Sequence, residues 1–143
     1  MDGFGQKEAP DFSRLSRLPA CEGQASVRFV IDSERRVVIA KFGERLTVTD
    51  IEIYVQNLRA HPSFDPSFSE IADISDVKEL PLEGPDFLKL ADQVDPFSFE
   101  SKRAFVAQTS VQKHAARMHK ILRSQRNFEI FQTLEEAEGW TRS

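Results

Sequence analysis

The side chains that could bind a metal ion or carry a proton are few in this sequence and lie far apart. The histidines are His61, His114 and His119, and Cys21 is the single cysteine. The last two histidines are five residues apart in a predicted helix, which places them about 140° apart around its axis. Histidines that share a metal on one helix are usually about four residues apart. We therefore expect no metal site and no cofactor, and one cysteine permits no internal disulfide.

Two pairs of carboxylates have the spacing of acid and base partners, Asp73 with Asp76 and Asp92 with Asp95. Such a pair divides the roles of acid and base only where the surroundings separate the two pKa values. The first pair follows a predicted strand and the second ends a predicted helix, where we expect solvent. Both pairs are therefore interpreted as surface charges.

Sequence motifs of the common enzyme classes are absent. The sequence contains no glycine-rich phosphate loop after a strand and no Gly-x-Ser-x-Gly elbow. An enzyme would have to gather distant side chains, such as His61, Asp73 and Glu83, in one cleft. The sequence therefore favours a protein that is not an enzyme.

The apolar pattern predicts strands and helices in alternation. Short β-branched and aromatic runs predict five strands, near 27–31, 37–42, 69–75, 104–107 and 128–131. Apolar residues at helical spacing predict a helix after each of the last four strands. In the third helix the predicted buried stripe is Val111, Ala115, Met118 and Leu122. The order β-β-α-β-α-β-α-β-α predicts an α/β fold with a single mixed sheet of four to five strands and helices packed on it.

Length and composition indicate one domain with a tail. Residues 1–25 are interrupted by glycine and proline and predict a flexible N-terminal tail, whereas residues 26–143 carry the pattern of one α/β domain. Hydrophobic residues make up 40% of the chain and charged residues 29%, which suits a globular domain with a core. No run reaches the roughly 18 apolar residues of a membrane span, and the N-terminus lacks the apolar block of a signal peptide. We therefore expect a cytoplasmic protein with no membrane span.

Charge is unevenly distributed along the chain. The net charge of -4 argues against a nucleic-acid partner. Residues 64–100 hold ten acidic residues and two lysines, whereas residues 111–126 hold five basic residues and no acidic one. Lys113, Arg117 and Lys120 share one face of the third helix and form a candidate basic face for a protein partner. The alternatives are a solvated face whose charge complements the acidic side of the same molecule, or one that complements the acidic side of a second copy. The second of these would make a homodimer.

Two phenylalanine-rich turns repeat the same short pattern. Phe64 and Phe68 flank one turn, and Phe97 and Phe99 lie beside the other. These rings either close the ends of the core or line a vestibule for a small apolar ligand. The four phenylalanines form the candidate pocket.

Residues 71–80 contain an apolar-Asp-apolar-Ser-x-Val pattern. Together with the order of elements, this stretch resembles the third strand and following loop of STAS domains, and more closely of their SpoIIAA-like relatives, sometimes described as STAS/SEC14-like. The resemblance covers residues 27–140. It implies a small regulatory protein similar to the anti-sigma factor antagonists.

In signalling STAS domains the matching loop ends in Asp-Ser-Ser-Gly at the start of a helix, and a serine there accepts phosphate from a partner kinase. Residues 81–84 of this sequence read Pro-Leu-Glu-Gly, so the resemblance does not extend to the phosphorylation switch. Glu83 stands in the place of the phosphoacceptor and is interpreted as a helix-start glutamate rather than a phosphate mimic. The candidate partner loop comprises Ser75, Asp76, Glu79, Glu83 and Gly84.

The leading hypothesis is a non-enzymatic regulatory or protein-protein interaction module that presents this loop and the following helix to a protein partner. It rests on the resemblance, on the segregated charge and on the absence of enzyme motifs. The alternative is a protein that binds a small apolar ligand or lipid in a pocket between the sheet and the helices. A void lined by the four phenylalanines would favour this alternative, and a fully packed core would contradict it.

Overall fold

Five strands form one mixed sheet in a computed structural model that describes residues 27–143. The strands are β1 Val27–Asp32, β2 Val37–Phe42, β3 Ser69–Asp73, β4 Arg103–Val106 and β5 Phe128–Phe131. They lie side by side in chain order; β1 and β2 are antiparallel, and the other neighbours are parallel. The predicted mixed sheet with its N-terminal hairpin is confirmed. The predicted tail and Cys21 lie outside the described residues.

Three α-helices lie in the connections between strands of this part of the chain, and a fourth follows β5. They are α1 Val48–Ala60, α2 Gly84–Lys89, α3 Ser110–Arg123 and α4 Leu134–Arg142. Helix α2 runs on into a π-helical turn at Leu90–Val94. The hydroxyls of Thr47, Thr109 and Thr133 cap α1, α3 and α4 by accepting the N–H of the third helical residue. In each case the side chain of that third residue accepts the N–H of the threonine. The observed order β-β-α-β-α-β-α-β-α is the predicted one.

The helices are divided unequally between the two faces of the sheet. Helices α1, α2 and α3 lie over the face that carries Ala40 and Ala72, and α4 covers the face that carries Ile39 and Ile71. Successive strand residues point to opposite faces, so the continuous apolar run of β2 contributes to both cores. Within residues 27–143 no helix is long and apolar enough to cross a membrane.

The buried face of α3 differs from the predicted apolar stripe. Val111 is 65% exposed, and the buried positions are Gln112, Ala116 and Arg123. Gln112 and Arg123 occupy the inner face because their side chains donate hydrogen bonds to backbone carbonyls of the neighbouring segments. The prediction of a buried Val111 was wrong, whereas Ala115, Met118 and Leu122 are half-buried. A pattern of apolar residues does not predict buried polar side chains that find hydrogen-bond partners.

Candidate functional site

A cavity of about 480 Å³ lies between the sheet and helices α1, α2 and α3. Ala72 on β3 and Phe105 on β4 border it from the sheet, and apolar side chains such as Val55, Leu90 and Ala115 border it from the helical layer. Protein interiors contain few voids larger than a water molecule, and pockets for small ligands measure roughly 300–1,000 Å³. The cavity therefore has the size and the lining of a ligand pocket.

The cavity reaches the surface between the β3–α2 loop and the first turn of α3. Lys78 in the loop and Val111 in the helix border the cavity and are both exposed. Leu82 and Phe87 also border it and are half-buried. The opening is therefore lined largely by apolar side chains, which explains the outward position of Val111.

A group of polar side chains, which we call the charged cluster, also borders the cavity: Tyr54, Glu70, Asp95, Arg103 and His119. Arg103, at the start of β4, donates from Nη2 to Glu70 Oε1 (2.7 Å) and from Nη1 to Asp95 Oδ2 (2.9 Å). These three side chains are only 2–4% exposed. The Tyr54 hydroxyl donates to Glu70 Oε2 at 2.7 Å. Charges buried this deeply persist in proteins only where they are paired, and each partner here comes from a different element.

Asp95 is positioned by the π-helical turn that precedes it. Its N–H donates to the carbonyl of Leu90 (2.9 Å) and closes the turn. Its carboxylate accepts hydrogen bonds from the N–H of Phe97 (2.9 Å) and from Arg103, and Oδ2 lies 2.7 Å from His119 Nε2. Single π-helical turns occur frequently at functional sites. Here the turn ends α2 so that the carboxylate reaches the sheet and α3 together.

The charged cluster holds its members in defined protonation states. Burial raises the pKa of Asp95, but the Arg103 guanidinium and His119 outweigh burial and hold that pKa well below its ordinary value. Burial lowers the pKa of Arg103, but Glu70 and Asp95 raise it to a net value above the ordinary one. Burial and then Glu70 raise the pKa of the Tyr54 hydroxyl well above its ordinary value. Asp95 and Arg103 therefore stay charged, and Tyr54 keeps its proton, at neutral pH.

The lowered pKa of Asp95 predicts a loss of stability in acid. A carboxyl group with a folded-state pKa below its unfolded value of about 4 stabilises the fold above that value, and it loses this contribution as the pH falls from there through the folded-state pKa. We expect Asp95→Asn to be less stable than wild-type protein at about pH 7 and to lose less free energy of unfolding between about pH 5 and pH 2. Urea unfolding at several pH values measures both. Asp92→Asn, at a neighbouring exposed position, is the control, and equal pH dependence in Asp95→Asn and wild-type protein would contradict the assignment.

The three histidines lie in different surroundings. His61 and His114 are exposed, whereas His119 borders the cavity beside the ring of Phe105, with ring centroids 6.1 Å apart. Residues 27–143 contain no group of three or more His, Cys, Asp or Glu side chains that could hold a metal ion.

The likeness of this chain to known proteins lies in its fold. No family model and no curated protein matches its sequence. A crystal structure of an uncharacterized DUF3478-family protein from Shewanella loihica PV-4, described as having a SpoIIAA-like fold, matches with a TM-score of 0.58 and 21% identity. The match covers 81% of this chain and 94% of that chain. This chain has a SpoIIAA-like fold. The resemblance predicted from residues 71–80 and the order of elements is therefore confirmed for the fold.

In this SpoIIAA-like fold the candidate partner loop is tied to the protein around it. Ser75 donates to a neighbouring carboxylate and borders the cavity. Asp76 pairs with Lys41 at 3.3 Å, and Glu79 pairs with Arg45 at 3.1 Å. Two acidic side chains of the loop, Asp76 and Glu79, therefore pair with cations of the same molecule.

The end of the loop forms the start of α2. Glu83 directly precedes the helix, and its N–H donates to the Asp86 carboxylate at 2.8 Å. Gly84 is the first residue of α2, and a Cβ atom there would meet nothing within 4 Å. Glu83 thus occupies the helix-start position expected of it, and space alone does not require a glycine at position 84.

The candidate basic face lies on the outer side of α3. Arg117 and Lys120 are exposed, and Lys113 is half-buried. None of the three pairs with an acidic side chain in the part of the chain that the structure describes. The described contacts therefore give no support to the alternative that this face pairs with the acidic side of its own molecule. A protein partner and a second copy of the chain both stay predictions.

The four phenylalanines of the candidate pocket do not line the cavity. Phe68 and Phe97 are buried in the core, and Phe64 packs edge-on against Phe97 with ring centroids 5.4 Å apart. Phe99 is 58% exposed and packs against the guanidinium of Arg123 at 4.4 Å. The predicted lining is wrong for this cavity, because rings beside turns close the edge of the core whereas the cavity lies where small side chains of the sheet and α3 meet.

Two of the four paired acids contradict the surface-charge interpretation. Asp76 and Asp92 are exposed as expected, but Asp73 is buried and bonded to the Ser75 hydroxyl, and Asp95 is buried against Arg103. The sequence predicts no site role for Tyr54, Glu70 or Arg103. One pattern could have indicated Arg103, which directly precedes the apolar run at 104–107. A charge beside a strand covered on both faces needs a buried partner.

Proposed function

We propose that this protein binds a small, largely apolar molecule in the cavity between the sheet and helices α1, α2 and α3. One observation carries the proposal: a cavity of about 480 Å³, bordered by apolar side chains and by the charged cluster. An apolar ligand of matching size would bury its surface against these side chains, which is favourable because apolar area is removed from water.

Small side chains keep the cavity open. Ala72 of β3 and Ala115 and Ala116 of α3 all border it. A larger apolar residue at any of these positions would occupy the space, as core residues do elsewhere in the domain. The apolar lining supplies the affinity for a ligand, and the few polar groups fix its orientation.

The proposal concerns binding and not catalysis. The guanidinium of Arg103 donates four hydrogen bonds, to Glu70, Asp95 and Gln125, so most of its donors are used within the fold. The Ser75 hydroxyl donates to the Asp73 carboxylate, which also accepts the Ser75 N–H and pairs with Lys41, and no histidine lies beside it among the described contacts. The arrangement resembles a closed structural network rather than a nucleophile with its activating base.

The regulatory or protein-protein interaction hypothesis stays a prediction and ranks second. Its candidate loop has acids that pair within the molecule, so the loop presents less unbalanced charge than the sequence suggests. The exposed cations Arg117 and Lys120 are the observation that still favours it. Exposed cations are common on solvent-facing helices, whereas a cavity of this volume and lining has the properties of sites that bind small ligands.

Titration with N-phenyl-1-naphthylamine tests the proposed function. This uncharged dye fluoresces strongly in apolar surroundings, and its two aromatic parts suit an apolar cavity. We expect a saturable rise at about one dye per chain with a micromolar Kd, or about -8 kcal/mol. Protein unfolded in urea is the control and should give no rise. A folded protein that gives no saturable signal would contradict the proposal.

A further inference from the structure

His119 differs from the rest of the charged cluster in having one polar atom left over. Arg103 bonds to Glu70 and Asp95, and the Tyr54 hydroxyl donates to Glu70. His119 Nε2 lies 2.7 Å from Asp95 Oδ2. Its second ring nitrogen, Nδ1, has no hydrogen-bond partner among the residues that the structure describes.

The unpartnered ring nitrogen of His119 is not fully buried. In residues 27–143 the buried side-chain nitrogen without a partner is Nε of Arg123, so the equally unpartnered Nδ1 of His119 is not sealed in packed protein. The His119 ring borders the cavity, and its side chain is 16% exposed. Nδ1 is therefore an unpartnered, accessible atom of the cluster, and it belongs to a ring that borders the cavity.

The contact with Asp95 determines what this nitrogen can offer. The ionised carboxylate of Asp95 accepts hydrogen bonds, so the His119 nitrogen that faces it, Nε2, carries the hydrogen. In the neutral ring the lone pair then lies on Nδ1. The carboxylates of Glu70 and Asp95 already have the guanidinium groups of Arg103 and Arg123 as cationic partners.

We infer that the ligand is an apolar molecule with a hydroxyl group, an alcohol or a phenol, and that its hydroxyl donates a hydrogen bond to His119 Nδ1. This inference rests on the proposed function and adds the chemical class of the ligand. A pure hydrocarbon would cover the lone pair without replacing its hydrogen bond to water, which costs free energy. An anionic group would place its oxygens against the same lone pair.

Two ligands of similar shape separate the hydrogen bond from apolar burial. 1-Naphthol carries the hydroxyl, and 1-methoxynaphthalene has an ether oxygen that cannot donate. Each is used to displace N-phenyl-1-naphthylamine from wild-type protein and from His119→Phe, which keeps a ring beside Phe105. We expect the ratio of the ether Kd to the naphthol Kd to be about tenfold lower in His119→Phe, because one hydrogen bond is lost. His114→Phe, at an exposed position of the same helix, is the matched control and should keep the wild-type ratio.

The outcomes distinguish this inference from the proposed function. An equal ratio in wild-type protein and His119→Phe, with dye binding intact in both, would overturn the role of His119 and leave the apolar site standing. A wild-type protein that binds no dye would overturn both. Nitrogen NMR of the imidazole in wild-type protein needs no variant: saturating 1-naphthol should shift Nδ1 of His119, and the ether should not. An unshifted Nδ1 in saturated protein would overturn the inference.

Discussion

Replacing Arg103 by methionine is expected to lower the free energy of unfolding by about 3–5 kcal/mol, as removal of one partner of a buried charge pair does. The change leaves the carboxylates of Glu70 and Asp95 buried without the guanidinium between them. Methionine is long, flexible and apolar, so the loss reports the missing charge more than a missing volume. Domains are typically stable by about 5–15 kcal/mol, so this variant should lose a large share of its stability.

An exposed ion pair of the same chain provides the control for this prediction. Arg45 lies 3.1 Å from Glu79, but both side chains are largely exposed. Exposed pairs contribute about 0–1 kcal/mol, so Arg45→Met should change the free energy of unfolding little. Urea unfolding followed by circular dichroism compares the two variants. A loss in Arg103→Met no larger than in Arg45→Met would show that the charged cluster does not join β3, β4 and the π-helical turn.

Filling the cavity with Ala115→Trp is expected to raise the Kd for N-phenyl-1-naphthylamine by about tenfold or more, at least about 1.4 kcal/mol. Ala115 is half-buried on α3 and borders the cavity, so an indole can turn into the space that the dye would use. Overpacking destabilises a core that is already full, but here the indole enters a void. We therefore expect the folded structure and its unfolding temperature to be preserved.

The same substitution at a remote alanine controls for the added indole. Ala60 lies at the exposed end of α1 and does not border the cavity. Ala60→Trp should bind the dye as wild-type protein does, with circular dichroism used to confirm folding of both variants. Unchanged dye affinity in Ala115→Trp would place the dye outside the cavity. An equal loss in both variants would also count against the assigned site.

The fold could be predicted because it depends on local patterns. The β-branched and apolar residues of Val37–Phe42 indicate a strand from their types alone. Thr47, Thr109 and Thr133 each precede a helix, and the threonine and a polar residue three positions on cap it reciprocally. The alternation of these elements restricts the topology to a mixed sheet with right-handed crossovers. The order of elements was therefore readable without any knowledge of tertiary contacts.

The charged cluster could not be predicted in this way, because its members come from different elements. Glu70 and Arg103 are 33 residues apart, and Asp95 and His119 are 24 apart. A single sequence does not show which acid meets which base in space. Taken alone, each of these residues resembles a solvated charge, the usual state of its type. The pairing becomes visible only when β3 and β4 lie side by side.

A pocket between the sheet and the helices was predicted as the alternative, but its lining could not be predicted, because a cavity is a property of packing and not of any residue type. Ala72, Ala115 and Ala116 fit the apolar patterns of a strand and a helix, and alanine is common in cores. The phenylalanine-rich turns predicted the wrong lining for the cavity, since large rings fill volume. A pocket forms where side chains are small, and small apolar residues in a sequence do not differ in type from ordinary core residues.

Binding inside this cavity is the central claim, and amide shifts of nitrogen-15-labelled protein during a titration with N-phenyl-1-naphthylamine test it most directly. The account predicts shifts that saturate together at Ala72, Phe105 and Ala115, which border the cavity. Ala137 and Trp140, which pack on the opposite face of the sheet, should change little. Shifts confined to the α4 face, or no shifts in the presence of excess dye, would contradict the account.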